Sequence, residues 1–379
     1  MMQLRLHDAL SDIDAPHWDA LRPDGNPFVS HAFLSGLEAH GCLRADYGWQ
    51  AQHLALYEGT RLVAAAPLYV KGNSHGEFVF DWAWAQAYAR HGLAYYPKLL
   101  CAVPYSPVPG PRLLAGSGGD ASGRQRLLRD TLVEVARSLG VSSVHVNFAR
   151  EEDAAAFDGS DWLARFDWQF HWHQRGYRDF ADFLDALTPK KRKNIRQERA
   201  QVARAGLRCE RRRGEELDEA DWRFLHRCYL ATFEEKGNHP ALTLPFFRHL
   251  GRMPGSAVLA TIAWRGNERV AAALLLQGDG ALYGRYWGAL EHVPGLHFEV
   301  CYYQGIEHCI ANGLQRFEPG AQGEHKLARG FLPARTRSFH WLADAGFRRA
   351  VHAALAREAT ALEDYHAELM RHSPYAVSA

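Results

Sequence analysis

The chain has 379 residues and lacks most features that place a protein in a class at sight. Its six cysteines (Cys42, Cys101, Cys209, Cys228, Cys301, Cys309) are scattered, with no C-x-x-C pair and no zinc spacing to histidine. Free thiols in a reducing, cytoplasmic compartment are therefore expected. The longest apolar run, Val270 to Leu276, is far too short for a bilayer, so no membrane insertion is expected. Residues 1–14 mix acids and a histidine with their leucines and lack the apolar stretch of a secretion signal. A net charge of +1 excludes a global field that draws the chain to nucleic acid or membrane; electrostatic recognition has to be local. Among 21 histidines the one tight pair is His171-Trp172-His173. Its alternate spacing fits two neighbours on an exposed strand face, and no metal is expected. With 47% hydrophobic and 23% charged residues the composition is that of an ordinary globular protein, and the length suggests about two domains.

What the chain does have is concentrated in one segment, Glu318-Pro319-Gly320-Ala321-Gln322-Gly323-Glu324-His325-Lys326-Leu327-Ala328-Arg329-Gly330. A short strand, Leu314 to Phe317, leads into it. Glycine allows positive φ and close approach to a ligand, and proline fixes the exit from the strand. So many proton-transfer and anion-binding groups in one loop read as a site, because loops on a rigid scaffold are where function concentrates. A solvated polar loop is the competing reading.

A repeat runs through the chain. Tyr57-Glu58-Gly59-Thr60-Arg61-Leu62-Val63-Ala64-Ala65-Ala66 matches Trp264-Arg265-Gly266-Asn267-Glu268-Arg269-Val270-Ala271-Ala272-Ala273. Both read as strand, Gly-bearing turn, strand. A third strand is expected at Glu77 to Trp84 and at Ala281 to Trp287. Helices follow at Arg124 to Leu139 and His297 to Ala311, each stopped by a glycine. Closing strands come at Ser143 to Phe148 and Leu314 to Phe317. The shared order predicts a duplicated β-β-β-α-β unit.

A second feature is a helix opened by Thr188 as N-cap and Pro189 in the first turn. It carries Lys190, Lys191, Arg192, Lys193 and Arg196. Cations at a helix N-terminus oppose the macrodipole, so they point to an anion clamp for a pyrophosphate or an RNA backbone, with a solvated surface helix as the alternative. The proline-rich stretch 102–112 is expected to be stiff and extended, the wall of a cleft rather than a phosphate nest. At the C-terminus, Phe347, Val351, Leu355, Leu362, Tyr365 and Leu369 form the apolar stripe of a helix.

Three segments carry a resemblance. Gly320 to Pro333, Leu296-His297-Phe298-Glu299 followed by Tyr302 to Ile306, and Pro107 to Leu114 together resemble the bacterial FemAB-like predicted N-acyltransferases. That family lies within the GNAT superfamily and is related to the peptidoglycan-bridge aminoacyltransferases. The resemblance runs from about Asn26 to Trp341. It implies an α/β (α+β) fold of tandem duplicated GNAT-type domains: 1–168, then 169–345 with the Gly-rich loop, then a C-terminal helix and tail, 346–379. It also implies amide formation between an amine acceptor, small molecule or peptide, and an acyl or aminoacyl group. Acyl-CoA or aminoacyl-tRNA would be co-substrate, with no tightly bound cofactor.

Within that implied reaction Glu324 or His325 would accept the amine proton and Lys326 would stabilise negative charge. Glu318 is a second base or the group that binds a cationic acceptor. Gln322 and Arg329 would contact substrate, Arg329 by holding an acidic group. Arg285, Tyr286 and Trp287 would wall the acceptor pocket. Lys190, Lys193 and Arg196 would take the donor's phosphates. For Glu324 a salt bridge to Lys326 or Arg329 is the rival role. Two other functions stay open: a non-catalytic peptide- or glycan-binding protein that keeps the acyltransferase fold, and a tRNA-interacting protein.

Overall fold

The computed structural model describes residues 2–255, 257–278, 280–321 and 323–376. Its strands, in chain order, are β1 (Met2–His7), β2 (Trp49–Ala51), β3 (His53–Glu58), β4 (Arg61–Ala66), β5 (Leu68–Lys71), β6 (Lys98–Cys101) and β7 (Ser143–Ala149). They continue with β8 (Leu163–His173), β9 (Leu207–Arg213), β10 (Val258–Arg265), β11 (Glu268–Gly278), β12 (Ala281–Ala289), β13 (Arg316–Glu318) and β14 (Leu332–Leu342). Contacts divide the chain into two compact units, residues 1–168 with 335–365, and residues 169–334 with 366–379.

In the first unit β1, β3 and β4 form an antiparallel sheet, and β2, β5, β6 and β7 pair in that order, with β6 and β7 parallel. The returning β14 lies antiparallel to β7. In the second unit β9, β10, β11 and β12 form an antiparallel meander, β12 and β13 are parallel, and the end of β8 lies antiparallel to β13. The meander's central strands are apolar along almost their whole length because both faces are covered.

The duplicated hairpin is present in both units. Gly59 and Gly266 turn at φ 62° and 56°, a conformation that costs glycine nothing. Beside each turn the register slips by one residue, between Leu56 and Tyr57 and between Ala263 and Trp264. A bulge next to the same aromatic of the same motif is stronger evidence of duplication than the shared alanines, since bulges are specific features of a strand.

The third strand differs between the units. In the second, β12 follows as expected. In the first, the strand expected at Glu77 to Trp84 is not formed. Phe78 sits at φ 61°, which ends any extended run, and a helix occupies Trp82–Arg90. The strand parallel to β7 is instead β6, after a 72–97 excursion.

The first unit's long helix, Ala121–Leu139, places Leu128, Leu132 and Val135 in a core with Val144 and Val146 of β7. Asp120 caps its start and Gly140, at φ 64°, ends it. Its counterpart in the second unit is not the uniform helix expected. Leu296–Phe298 is α-helical, Glu299–Tyr303 forms a π-turn, and Gln304–Ala311 is α-helical again. The basic helix spans Pro189–Arg204, but the side chain of Thr188 makes no capping bond; its backbone N–H donates to the Pro374 carbonyl at 2.8 Å. The last helix spans Ala345–Arg371 and buries Val351, Leu355 and Leu369. Stretch 102–112 is largely buried around Arg112. Carbonyls of Val108, Pro111 and Asn147 accept from that guanidinium at 2.7–3.2 Å. Prolines supply carbonyls without N–H groups, and Arg112 provides the missing donors.

One glycine tests the packing of the second unit. A Cβ on Gly288 would lie 2.0 Å from the backbone oxygen of Cys228. Gly288→Ala is expected to destabilise by about 1–3 kcal/mol in a denaturant melt. Gly118→Ala, with nothing within 4 Å, is expected to change stability by less than ~0.5 kcal/mol.

Candidate active site

Strands β12 and β13 pair over three positions, Ala281 with Arg316, Leu282 with Phe317 and Tyr283 with Glu318. There β13 ends, while β12 runs on to Ala289. Pairing of β12 with β11 jumps from Gly284 to Tyr286, so Arg285 is the extra residue of a bulge. Bulges re-aim side chains beside sites. The Gly-rich loop leaves β13 at this point.

Glu318 is buried, and its Oε1 accepts from Arg316 Nε at 2.7 Å. Its Oε2 has no hydrogen-bond partner among the described residues, and His171 Nε2 lies 3.9 Å from it. Burial pushes the carboxyl up to about 7, against the pull of Arg316 and Arg285. His171, expected on an exposed strand face, is buried beside it, because Trp172 alternates into the core of a strand covered on both sides. Burial holds the His171 imidazole neutral.

Beyond Pro319 the loop coils into a tight helical turn, Glu324–Arg329, closed by Gly330 at φ 93°. Gly323 is at φ 119°, and a Cβ there would come within 2.4 Å of the His325 ring. No other residue suits both the backbone and the ring. Glu324 and His325 are exposed. His325 Nε2 lies 2.9 Å from the Tyr302 hydroxyl, and burial, then Lys326 and Arg329, lower its pKa. Lys326 is buried, donates to the Gly320 carbonyl at 2.7 Å, and is pushed by burial down to about 8.

Arg329, expected to hold an acidic group of a ligand, directs its donors elsewhere. It makes a two-pronged pair with Glu198 at 2.6 and 3.2 Å and donates to the His325 carbonyl at 2.7 Å. Its guanidinium carbon lies 3.3 Å from the centre of the Phe298 ring. Glu198 belongs to the basic helix and also accepts from the Tyr303 hydroxyl. The next residue, Arg199, pairs with Glu299 and Glu307. One face of the basic helix is thus tied to the loop and to the π-turn, while Lys190, Lys193 and Arg196 are exposed on the other.

Trp287 lies on the wall of this site. Its ring is 4.6 Å from His297, which is 5.9 Å from His325. Phe298 and Tyr302 complete the aromatic surround at 5.7 and 5.9 Å from His325. Tyr286 packs instead with Tyr229 and Phe247, at 5.1 and 6.1 Å. Gln322 lies outside the described residues. Glu198 was not singled out from the sequence, and His297, Tyr302 and Tyr303 were named there only within segments that carry the resemblance, with no role at the site. Acid inside a basic run was the available signal for Glu198. The place of the tyrosine pair at the site was not readable, since a π-turn leaves no periodic mark.

Among the described residues no three His, Cys, Asp or Glu side chains group as a metal site, and no helix is long and apolar enough to cross a membrane. All six cysteines are free thiols.

Comparisons with known proteins agree with this architecture. The structure resembles FemX at a TM-score of 0.54 and 10% identity, covering 90% of this chain and 98% of that one. It resembles the C-terminal domain of a putative lysylphosphatidylglycerol synthetase from Agrobacterium fabrum at 0.53 and 10%, covering 92% and 97%. Identities this low speak for the fold alone, an α/β fold. No curated protein matches the chain. A family model described as FemAB-like, peptidoglycan biosynthesis/recognition, matches residues 9–377, and the chain belongs to that FemAB-like family.

Proposed function

We propose that the protein is an N-acyltransferase whose reaction centre is the Gly-rich loop, joining an amine to an acyl or aminoacyl group carried by acyl-CoA or aminoacyl-tRNA. The observation that carries this reading is the exposed imidazole of His325, held by Tyr302 beside the buried Lys326 side chain. Amine attack needs a proton acceptor poised near neutrality and a charge for the developing oxyanion, and these two side chains supply that pair. In the tautomer where Nε2–H donates to the Tyr302 oxygen, Nδ1 is free to accept, and it lies over Gly323, where no side chain intervenes.

The step balances simply. The amine nitrogen bonds to the carbonyl carbon and gives a proton to His325 Nδ1. The C–S bond of a thioester, or the C–O bond of an aminoacyl ester, then breaks, and the leaving atom takes that proton back. Lys326 stabilises the intermediate oxygen. Glu318, with a free oxygen and a pKa near neutrality, receives the acceptor's ammonium or a second proton. Lys190, Lys193 and Arg196 bind the donor's phosphates. Family membership supports a peptidoglycan-related acceptor, and a bacterial cytoplasm is the compartment that supplies both donor classes.

His325→Asn is expected to lower turnover by roughly 10²–10⁴-fold with an unchanged melting temperature, while Glu324→Gln measured beside it stays near wild type. Loss in Glu324→Gln with His325→Asn near wild type would move the base to Glu324. The pH–rate profile follows from the two groups. The base must be neutral, so the rate falls as pH drops through a His325 pKa lying below its usual 6.5. The ammonium must stay charged, so the rate falls again above about 8.

Breaking the brace should act differently. Glu198→Ala strands the Arg329 guanidinium and should cost about 1–3 kcal/mol in a melt, along with turnover. Reversing Lys190, Lys193 and Arg196 to Glu together should spare stability, because these exposed cations oppose the helix dipole. Donor affinity in that triple variant should fall and lose its dependence on salt.

A further inference from the structure

The chain leaves its last helix at Arg371 and returns to the Gly-rich loop. Proline at 374 cannot continue a helix and pushes the residue before it into extended backbone, so the stretch beyond the helix runs on as a strap. It lies against the segment that precedes the basic helix. Thr188 N–H donates to the Pro374 carbonyl at 2.8 Å, and Ala376 N–H donates to the Ala186 carbonyl at 3.0 Å. These two bonds flank Tyr375 and make an antiparallel bridge between it and Leu187. The Tyr375 ring is half-buried, with the guanidinium carbon of Arg175 4.2 Å from its centre.

Held by both neighbours and along its ring, Tyr375 donates its hydroxyl to the Gly330 carbonyl at 2.7 Å. Burial raises the pKa of this phenol, so it keeps its proton and stays a donor. Gly330 closes the turn Glu324–Arg329 at φ 93°. A Cβ there would come within 2.8 Å of the Phe183 ring and 3.2 Å of the Tyr375 oxygen. The hydroxyl reaches the backbone because residue 330 is glycine.

The peptide group between Gly330 and Phe331 is bonded at both ends. Its carbonyl accepts from Tyr375, and its N–H donates to the Lys326 carbonyl at 3.3 Å. Lys326 is the buried residue assigned above to the developing oxyanion. The Phe331 ring is fully buried and lies 5.3 Å from Tyr302, whose hydroxyl is 2.9 Å from His325 Nε2. One peptide plane therefore sets the backbone of Lys326 together with the packing of the tyrosine that holds His325. Without the Tyr375 hydroxyl that plane is restrained at one end only. The carbonyl of buried Gly330 is then left unpaired, which costs more than the bond itself contributes.

We propose that Tyr375 is a positioning residue of the Gly-rich loop: its hydroxyl fixes the Gly330–Phe331 peptide and, through it, the turn that carries His325 and Lys326. The hydroxyl is committed to that carbonyl, so it acts through the turn and not on the reacting atoms. The consequence for turnover rests on the reaction assigned to the loop. The consequence for the backbone does not.

Tyr375→Phe in the full chain tests the proposal, since it keeps the ring and both flanking backbone bonds and removes the donor alone. Hydrogen exchange followed by mass spectrometry should show peptides spanning 324–332 exchanging roughly tenfold faster than in wild type, with peptides spanning 184–188 unchanged. Turnover is measured well below the melting temperature, with whichever of acyl-CoA or aminoacyl-tRNA the wild type consumes. There kcat should fall roughly tenfold, with KM unchanged for donor and acceptor. Wild-type exchange at 324–332 overturns the proposal. So does a wild-type kcat despite faster exchange, and so does faster exchange spread evenly over the second unit, which describes a merely structural residue. If the wild type consumes neither donor, the function proposed above fails by itself and the exchange comparison decides the role of Tyr375: faster local exchange supports it, unchanged exchange overturns it.

Discussion

The pair between Glu198 and Arg329 is the constraint on which the second unit's site depends. Arg329 closes the turn that carries Glu324, His325 and Lys326, and with its donors on Glu198 and on the His325 carbonyl it fixes the pitch of that turn. The same guanidinium covers Phe298, and the same carboxylate receives Tyr303. One ion pair therefore sets both the loop and the start of the π-turn opposite it. Two-pronged arginine–carboxylate geometry suits this because it specifies orientation as well as distance. The π-turn completes the arrangement: it shifts the phase of the helix so that Tyr302 reaches His325 while the adjacent Tyr303 reaches Glu198.

Local chemistry explains which parts of this were legible in the sequence. The hairpins at Gly59 and Gly266 follow from strand–glycine–strand punctuation. The basic helix follows from its proline and polar periodicity, and the terminal helix from a stripe at Val351, Leu355 and Leu369. Segment 77–84 was not legible, because its aromatics imitate a strand while its acids serve a lysine some twenty residues later. The loop's place as a cluster of acid, base and cation could be read from its composition. The partners of those groups could not. Arg329 finds its acid 131 residues earlier in the chain, and nothing in its own neighbourhood signals that pairing.

Taken separately, the two units show how one plan diverged. Each keeps a bulged hairpin and a parallel pair of strands joined through a helix. In the second unit the third strand follows at once, and the polar groups gather where β13 stops short of β12. In the first unit a long excursion precedes the equivalent strand and encloses the ion pairs of Lys98 with Glu77 and Asp81. Burying charges is costly unless each is paired, and this cluster meets that condition within itself.

Amide-bond formation by this chain is the activity proposed for the Gly-rich loop. Mass spectrometry of the products formed by the purified chain, with an amine-bearing peptidoglycan precursor and either acyl-CoA or aminoacyl-tRNA, tests it most directly. The acceptor is expected to gain the acyl mass from one of the two donors, with release of the free thiol or the uncharged tRNA. Retention of the acceptor on the protein with neither donor consumed would contradict it and would describe a binding protein that keeps the transferase fold.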